Sequence, residues 1–322
     1  WSCGNESHCG DNIQAMSEFF HKSDSTRPVH YEGVFVNRKY DHITDMESRM
    51  YAKPFEIEEY LKKDTGKPYI SCEYMHAMGN SLGGMKLYTD LEDKFDAYQG
   101  GFIWDYIDQA LYKDGVLVAD PNPMSAYPLT LNSIQPRFGA YGGDFGENMP
   151  SDGNFVCNGL VGPDREPHPG LAEVKYVYQD IKFTSDDPAS GRFNIFNRFY
   201  FKDLSGYDVK YTVLADGKPV RKGKLHFDTP AQKGEDFIVK LPRLKKRKSY
   251  YINFDVVTRE AAPLLEKGHV IATEQFFLKD AQKKAYVPDD KPVEVVEDGN
   301  VVTLRSSDVE FVFDGDKGYV TS

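Results

Sequence analysis

Cysteine is scarce in this chain: four residues of 322, at positions 3, 9, 72 and 157. They form no Cys-x-x-Cys pair and no dense spacing, which argues against a disulfide-stapled scaffold. A reducing, cytoplasmic setting is the default expectation, with a periplasmic or exported one left open. Cys3, His8 and Cys9 stand close in sequence, but no second ligand cluster at zinc spacing accompanies them. No apolar run approaches the roughly 18 residues of a membrane-spanning helix, so no membrane partner is expected. Positive charge is in deficit, 39 Lys+Arg against 50 Asp+Glu for a net −11. That is the reverse of a nucleic-acid-binding surface. Internal repeats, low-complexity tracts and a visible signal peptide are also lacking.

Aromatic side chains, in contrast, are abundant at 14 %, with 21 Tyr and 21 Phe. They suit strand-rich domains, and they equally suit sugar binding, where a ring packs on the C–H face of a pyranose.

The first half alternates strand and helix signals. Trp1 to Glu6 reads as the tail of a strand. Asp11 is placed to cap a helix whose apolar positions are Ile13, Met16 and Phe20, at spacings of three and four. Short strands are expected at 28–32, ended by Gly33, and at 44–52, 67–74 and 98–105. Helices are expected over 55–63, with Ile57 and Leu61 on one face, and over 83–95, with Leu87, Leu91 and Phe95. Repeated β-α units imply parallel strands. Glu6, Glu73 and Trp104-Asp105 at C-terminal strand ends suggest a (β/α)8 TIM barrel. Five strands are counted rather than eight, so residues 1–178 are read as its C-terminal part, strands 4–8. Residues 106–170 are irregular and rich in Gly, Pro and Asn, and loops this long are usually functional. From 179 to 284 six short strand patterns (193–201, 207–215, 218–227, 235–241, 249–257, 270–278) with turn signals between them suggest an Ig-like β-sandwich. Residues 285–322 read as the beginning of a truncated third β domain.

Two carboxylates carry the chemistry. Glu6 lies in Gly4-Asn5-Glu6-Ser7. Glu73 lies in Cys72-Glu73-Tyr74-Met75-His76-Ala77-Met78-Gly79-Asn80-Ser81. Glycoside hydrolysis needs such a pair, one to donate a proton and one to attack the sugar carbon. Taken singly, either is a solvated charge at a strand end. These strings, with Gln99-Gly100-Gly101-Phe102-Ile103-Trp104-Asp105 and Tyr141-Gly142-Gly143-Asp144-Phe145-Gly146, closely resemble glycoside hydrolase family 2, and within it the large bacterial β-galactosidases. The resemblance runs nearly throughout the barrel part and more weakly to the C-terminus.

The resemblance implies retaining hydrolysis of terminal β-D-galactose by double displacement, with Glu6 as acid/base and Glu73 as nucleophile. It implies that Asn5 binds the sugar 2-hydroxyl, Tyr51 steadies the nucleophile, His76 binds galactosyl hydroxyls and Trp104 floors the pocket. It also implies a magnesium ion held in part by Glu6. A sodium ion would be held by the Phe155 carbonyl and the Asn158 side chain, with further ligands to both ions expected upstream of Trp1. A homo-oligomer is implied for the full-length parent. The isolated chain, read as a fragment, is expected to be inactive. A β-glucuronidase or β-mannosidase of the same family, or a noncatalytic carbohydrate-binding or spacer module, remains an open alternative.

Overall fold

The computed structural model describes residues 1–63, 66–111, 145, 146, 148, 150, 152, 155–282, 292–306 and 309–321. The segment 112–137 and the Tyr141-Gly142-Gly143-Asp144 part of the glycine-rich string lie outside these.

Short parallel segments build the first unit. Ser2 bridges His30 in parallel. The strands β1 (Glu47–Met50), β2 (Tyr69–Tyr74) and β3 (Tyr98–Ile103) then pair in parallel in the order β1-β2-β3. The helices α1 (Asp11–Ser23), α2 (Pro54–Leu61) and α3 (Lys86–Lys94) fall between them. Such crossovers place the C-terminal strand ends, and the loops that follow, on one side.

Several local expectations shift. Gly10, not Asp11, is the N-cap of α1; Asp11 instead accepts the Tyr40 hydroxyl at 2.5 Å. The buried stripe of α1 runs through Ile13 and Ser17, and Met16 is exposed. Ser17 is tolerated inside because its hydroxyl donates to the Ile43 carbonyl at 2.6 Å, which satisfies a group otherwise costly to bury. In α3 the buried face is Tyr88 and Leu91, whereas Leu87 points to solvent. The segment expected as a strand at 28–32 is a single bridge at His30, and a 3-10 turn takes over at Glu32–Phe35. The strand expected at 44–52 is confined to Glu47–Met50, because Tyr51 adopts a left-handed φ of 53°.

After α4 (Gly170–Val177) the chain enters two antiparallel sheets. One is β4 (Ile181–Thr184), β5 (Arg192–Asn197) and β8 (Gly234–Ile238), ordered β4-β5-β8; β4 carries no strand in the sequence reading. The other is β6 (Tyr207–Ala215), β7 (Lys218–Leu225), β9 (Tyr250–Thr258) and β10 (Val270–Lys279), ordered β10-β9-β6-β7. Their inner faces share one core, with Ile181, Phe183, Phe193 and Ile195 from the first sheet against Val213, Ile252, Phe254 and Ala272 from the second. The burial alternates along β4, β5 and most of β9, as a two-sheet layer requires. A third unit follows, an antiparallel meander of β11 (Glu294–Asp298), β12 (Val301–Arg305), β13 (Glu310–Asp314) and β14 (Tyr319–Val320).

Candidate active site

Four of the predicted site residues lie at or just after the C-terminal ends of the parallel segments. Glu6 comes after the Ser2 bridge, Tyr51 directly after β1, Glu73 near the end of β2, and Trp104 directly after β3. Three of the turns leave the sheet through left-handed non-glycine residues: Glu6 at φ 50°, Tyr51 at φ 53° and Met75 at φ 50°. Each such residue costs on the order of 1 kcal/mol, and strain of this kind concentrates where side chains are aimed for function.

Tyr51 is the hub. Its hydroxyl donates to Oε2 of Glu73 at 2.8 Å, and it lines a cavity of about 360 Å³ together with Glu6, Glu32, Arg49 and Glu56. Tyr51 thus links that cavity to the nucleophile candidate. Burial, then the hydrogen bond to Glu73 and the negative charges of Glu73 and Glu6, push the Tyr51 phenol well above its ordinary value. It therefore stays protonated and remains a donor. Beside Glu73, burial pushes the Cys72 thiol up to about 11, so it stays uncharged.

His76 sits between the rings of Tyr51 and Phe155, with centroids 6.0 and 5.5 Å away. Its Nδ1 accepts the Met78 N–H at 3.4 Å, and its Nε2 is buried without a partner among the described residues. With Nδ1 accepting, the neutral ring carries its proton on Nε2. An unpaired buried donor is costly, and a substrate hydroxyl would satisfy it. Trp104 is half-buried; its backbone bridges strand ends, accepting from Ala77 N at 2.7 Å and donating to Tyr74 O at 3.2 Å. Asn5 is exposed beside Glu6, and its side-chain amide makes no hydrogen bond among the described residues.

The metal expectations divide. Among the described residues no group of three or more His, Cys, Asp or Glu is placed to hold a metal ion. Glu6 thus has no companion set here for magnesium, and no step is routed through one. Asn158 is different: its Oδ1 is buried and unpartnered among the described residues, while its Nδ2 donates to the Phe155 carbonyl at 2.7 Å. An orphaned amide oxygen is the type of donor a hard cation takes, so the chemistry of Asn158 fits a sodium ligand. In this arrangement the Phe155 carbonyl is engaged by the Asn158 amide.

The sequence reading passes over Glu32. It is 8 % exposed, lines the same cavity, and its Oε1 accepts the backbone N–H of Glu6 at 2.6 Å. A signal was available, since Glu32 ends the segment Val29-His30-Tyr31 just where strand-end residues collect.

Residues 1–183 match the model of "Glycosyl hydrolases family 2, TIM barrel domain", and residues 193–279 match "Beta-galactosidase, domain 4". The chain is 44 % identical over 279 residues to a beta-galactosidase of Halalkalibacterium halodurans, an alignment covering 84 % of this chain and 25 % of that protein. It is 41 % identical over 320 residues to one from Streptococcus thermophilus, covering 92 % and 29 %. It is 38 % identical over 330 residues to one from Clostridium acetobutylicum, covering 100 % and 33 %. The chain thus spans a quarter to a third of the length of these relatives.

Proposed function

The chain belongs to glycosyl hydrolase family 2, and from that membership we propose that it carries the catalytic pair of a retaining β-galactosidase. The observation that carries this reading is the Tyr51 phenol, bonded to Glu73 and lining one cavity with Glu6. Glu6, protonated, donates to the glycosidic oxygen as the Glu73 carboxylate attacks C1. The C1–O bond to the leaving group breaks and a galactosyl ester forms on Glu73. Glu6, now ionised, takes a proton from water, whose oxygen attacks C1; the ester bond breaks and β-galactose leaves. Tyr51 holds Glu73 in line for attack. Asn5 and His76 bind sugar hydroxyls, and Trp104 floors the pocket.

The galactoside preference rests on the relatives' names. Asn158 Oδ1, with the Phe155 carbonyl once freed of the Asn158 amide, would hold a sodium ion. Bound there, the ion supplies a fixed positive charge for sugar oxygens. We assign residues 1–178 to strands 4–8 of the barrel, 179–284 to an immunoglobulin-like sandwich and 285–322 to the beginning of a further β domain. A cytoplasmic, homo-oligomeric protein completes the proposal.

The test is a panel of p-nitrophenyl β-glycosides offered to the protein carrying this chain at its full natural length. The galactoside is expected to be hydrolysed and the glucuronide and mannoside not, with Glu73→Gln reducing the rate by at least about a thousandfold. Full galactoside turnover by Glu73→Gln would sink the assignment.

A further inference from the structure

We propose that Glu32 is a positioning residue for the acid/base Glu6; this rests on the reading of Glu6 just given. The loop carrying Glu6 is gripped by the neighbouring segment through consecutive residues. The Tyr31 hydroxyl donates to the Ser7 carbonyl. Glu32 Oε1 accepts the Glu6 N–H at 2.6 Å. Gly33 leaves room for this arrangement, since a Cβ there would lie 2.5 Å from the Tyr31 ring and 3.2 Å from the Ser7 carbonyl oxygen.

Glu6 needs this grip because its φ of 50° is unfavourable for a side-chain-bearing residue. A charge-assisted bond to a backbone N–H is among the stronger hydrogen bonds in a protein. With Glu32 8 % exposed and the bond itself part-buried, competition from water is reduced. The carboxylate thus fixes the backbone from which the proton-donating side chain projects.

A misplaced proton donor has a kinetic signature. It slows departure of poor leaving groups, which need protonation, and spares activated ones, which do not. In Glu32→Ala, kcat/KM for an alkyl β-galactoside is expected to fall about ten- to a hundredfold more than kcat/KM for 2,4-dinitrophenyl β-galactoside. Glu32→Gln is isosteric and keeps a neutral acceptor, so it should give the same asymmetry, smaller. It decides the matter alone if the alanine variant fails to fold. Hydrogen exchange of the peptide spanning residues 4–9 should quicken in Glu32→Ala by about tenfold or more, whatever the activity.

Equal losses on both galactosides in either variant, or unchanged exchange in Glu32→Ala, would overturn the proposal. Failure of the unsubstituted protein to hydrolyse either galactoside would instead sink the functional reading. The exchange measurement would still judge the Glu32 contact.

Discussion

Tyr51→Phe isolates the smallest unit of the account, one hydroxyl. It deletes the donor to Glu73 Oε2 and leaves the ring, which is 36 % exposed, in place. A hydrogen bond to a charged group contributes about 1.5–3 kcal/mol, so kcat is expected to fall about ten- to a hundredfold in steady-state assays. The melting temperature should barely change. The pH dependence follows from the sign of the shift. A phenol raised above its ordinary value of about 10 is fully protonated below that value and loses its contribution only as pH rises past it. The alkaline limb of kcat/KM below pH ~10 therefore should not move in Tyr51→Phe; a moved limb would show that Tyr51 titrates in the working range. At this scale the strand-end positions of Glu6, Glu73 and Trp104 were legible because each sits in a dense local string. The bond from Glu6 to Glu32 was not, because the two lie 26 residues apart and no spacing rule links them.

The element that aims Tyr51 is β1, and a buried carboxylate anchors it. Glu47 is 1 % exposed and receives Arg38 through both terminal nitrogens at 2.7 Å and Arg49 Nε at 2.6 Å. Burial alone would raise the Glu47 pKa, but the hydrogen bonds and charges of the two arginines outweigh it and hold it below the ordinary value. A depressed carboxylate contributes stability above its unfolded pKa of about 4.3, and that contribution is lost as pH falls through the folded value. Glu47→Gln should flatten the acid side of the stability–pH curve in urea titrations. Glu47→Ala should cost about 3 kcal/mol, because Arg49, 17 % exposed, is left charged and uncompensated. An unchanged acid limb in Glu47→Gln would remove the carboxylate from this role. Elements were readable where periodicity met a plain interior, as at Ile57 on α2. They were misread where a polar residue paid its own way inward, as Ser17 does in place of Met16 on α1. Strand ends were misplaced where backbone turned left-handed at Tyr51.

At the scale of the molecule, the barrel part is fastened to the two-sheet unit by polar contacts. The Tyr176 hydroxyl donates to Glu274 of β10 at 3.0 Å. Arg198 reaches Glu92 and Asp93 of α3 at 3.3 Å, and Lys182 reaches Asp93 at 2.8 Å. Burial raises the Glu92 pKa, and Arg198 opposes that rise. Arg198→Ala is expected to cost about 1 kcal/mol, discounted for the partial exposure of its partners. Calorimetry should show the two units beginning to melt apart; a single unshifted transition would mean the junction does not depend on it. The alternation of β-α units followed by strand-only texture was legible because binary patterns differ between the two. The junction was not, because it joins surface polar residues about a hundred positions apart in sequence, Glu92 and Arg198 among them. The most direct measurement for the whole account is covalent trapping. A 2-deoxy-2-fluoro-β-galactosyl fluoride, which slows release of the ester, is incubated with the protein carrying this chain, and the labelled peptide is sequenced by mass spectrometry. The account predicts the deoxyfluorogalactosyl group on Glu73. A label on any other residue, or turnover of β-galactosides with no label at all, would contradict it.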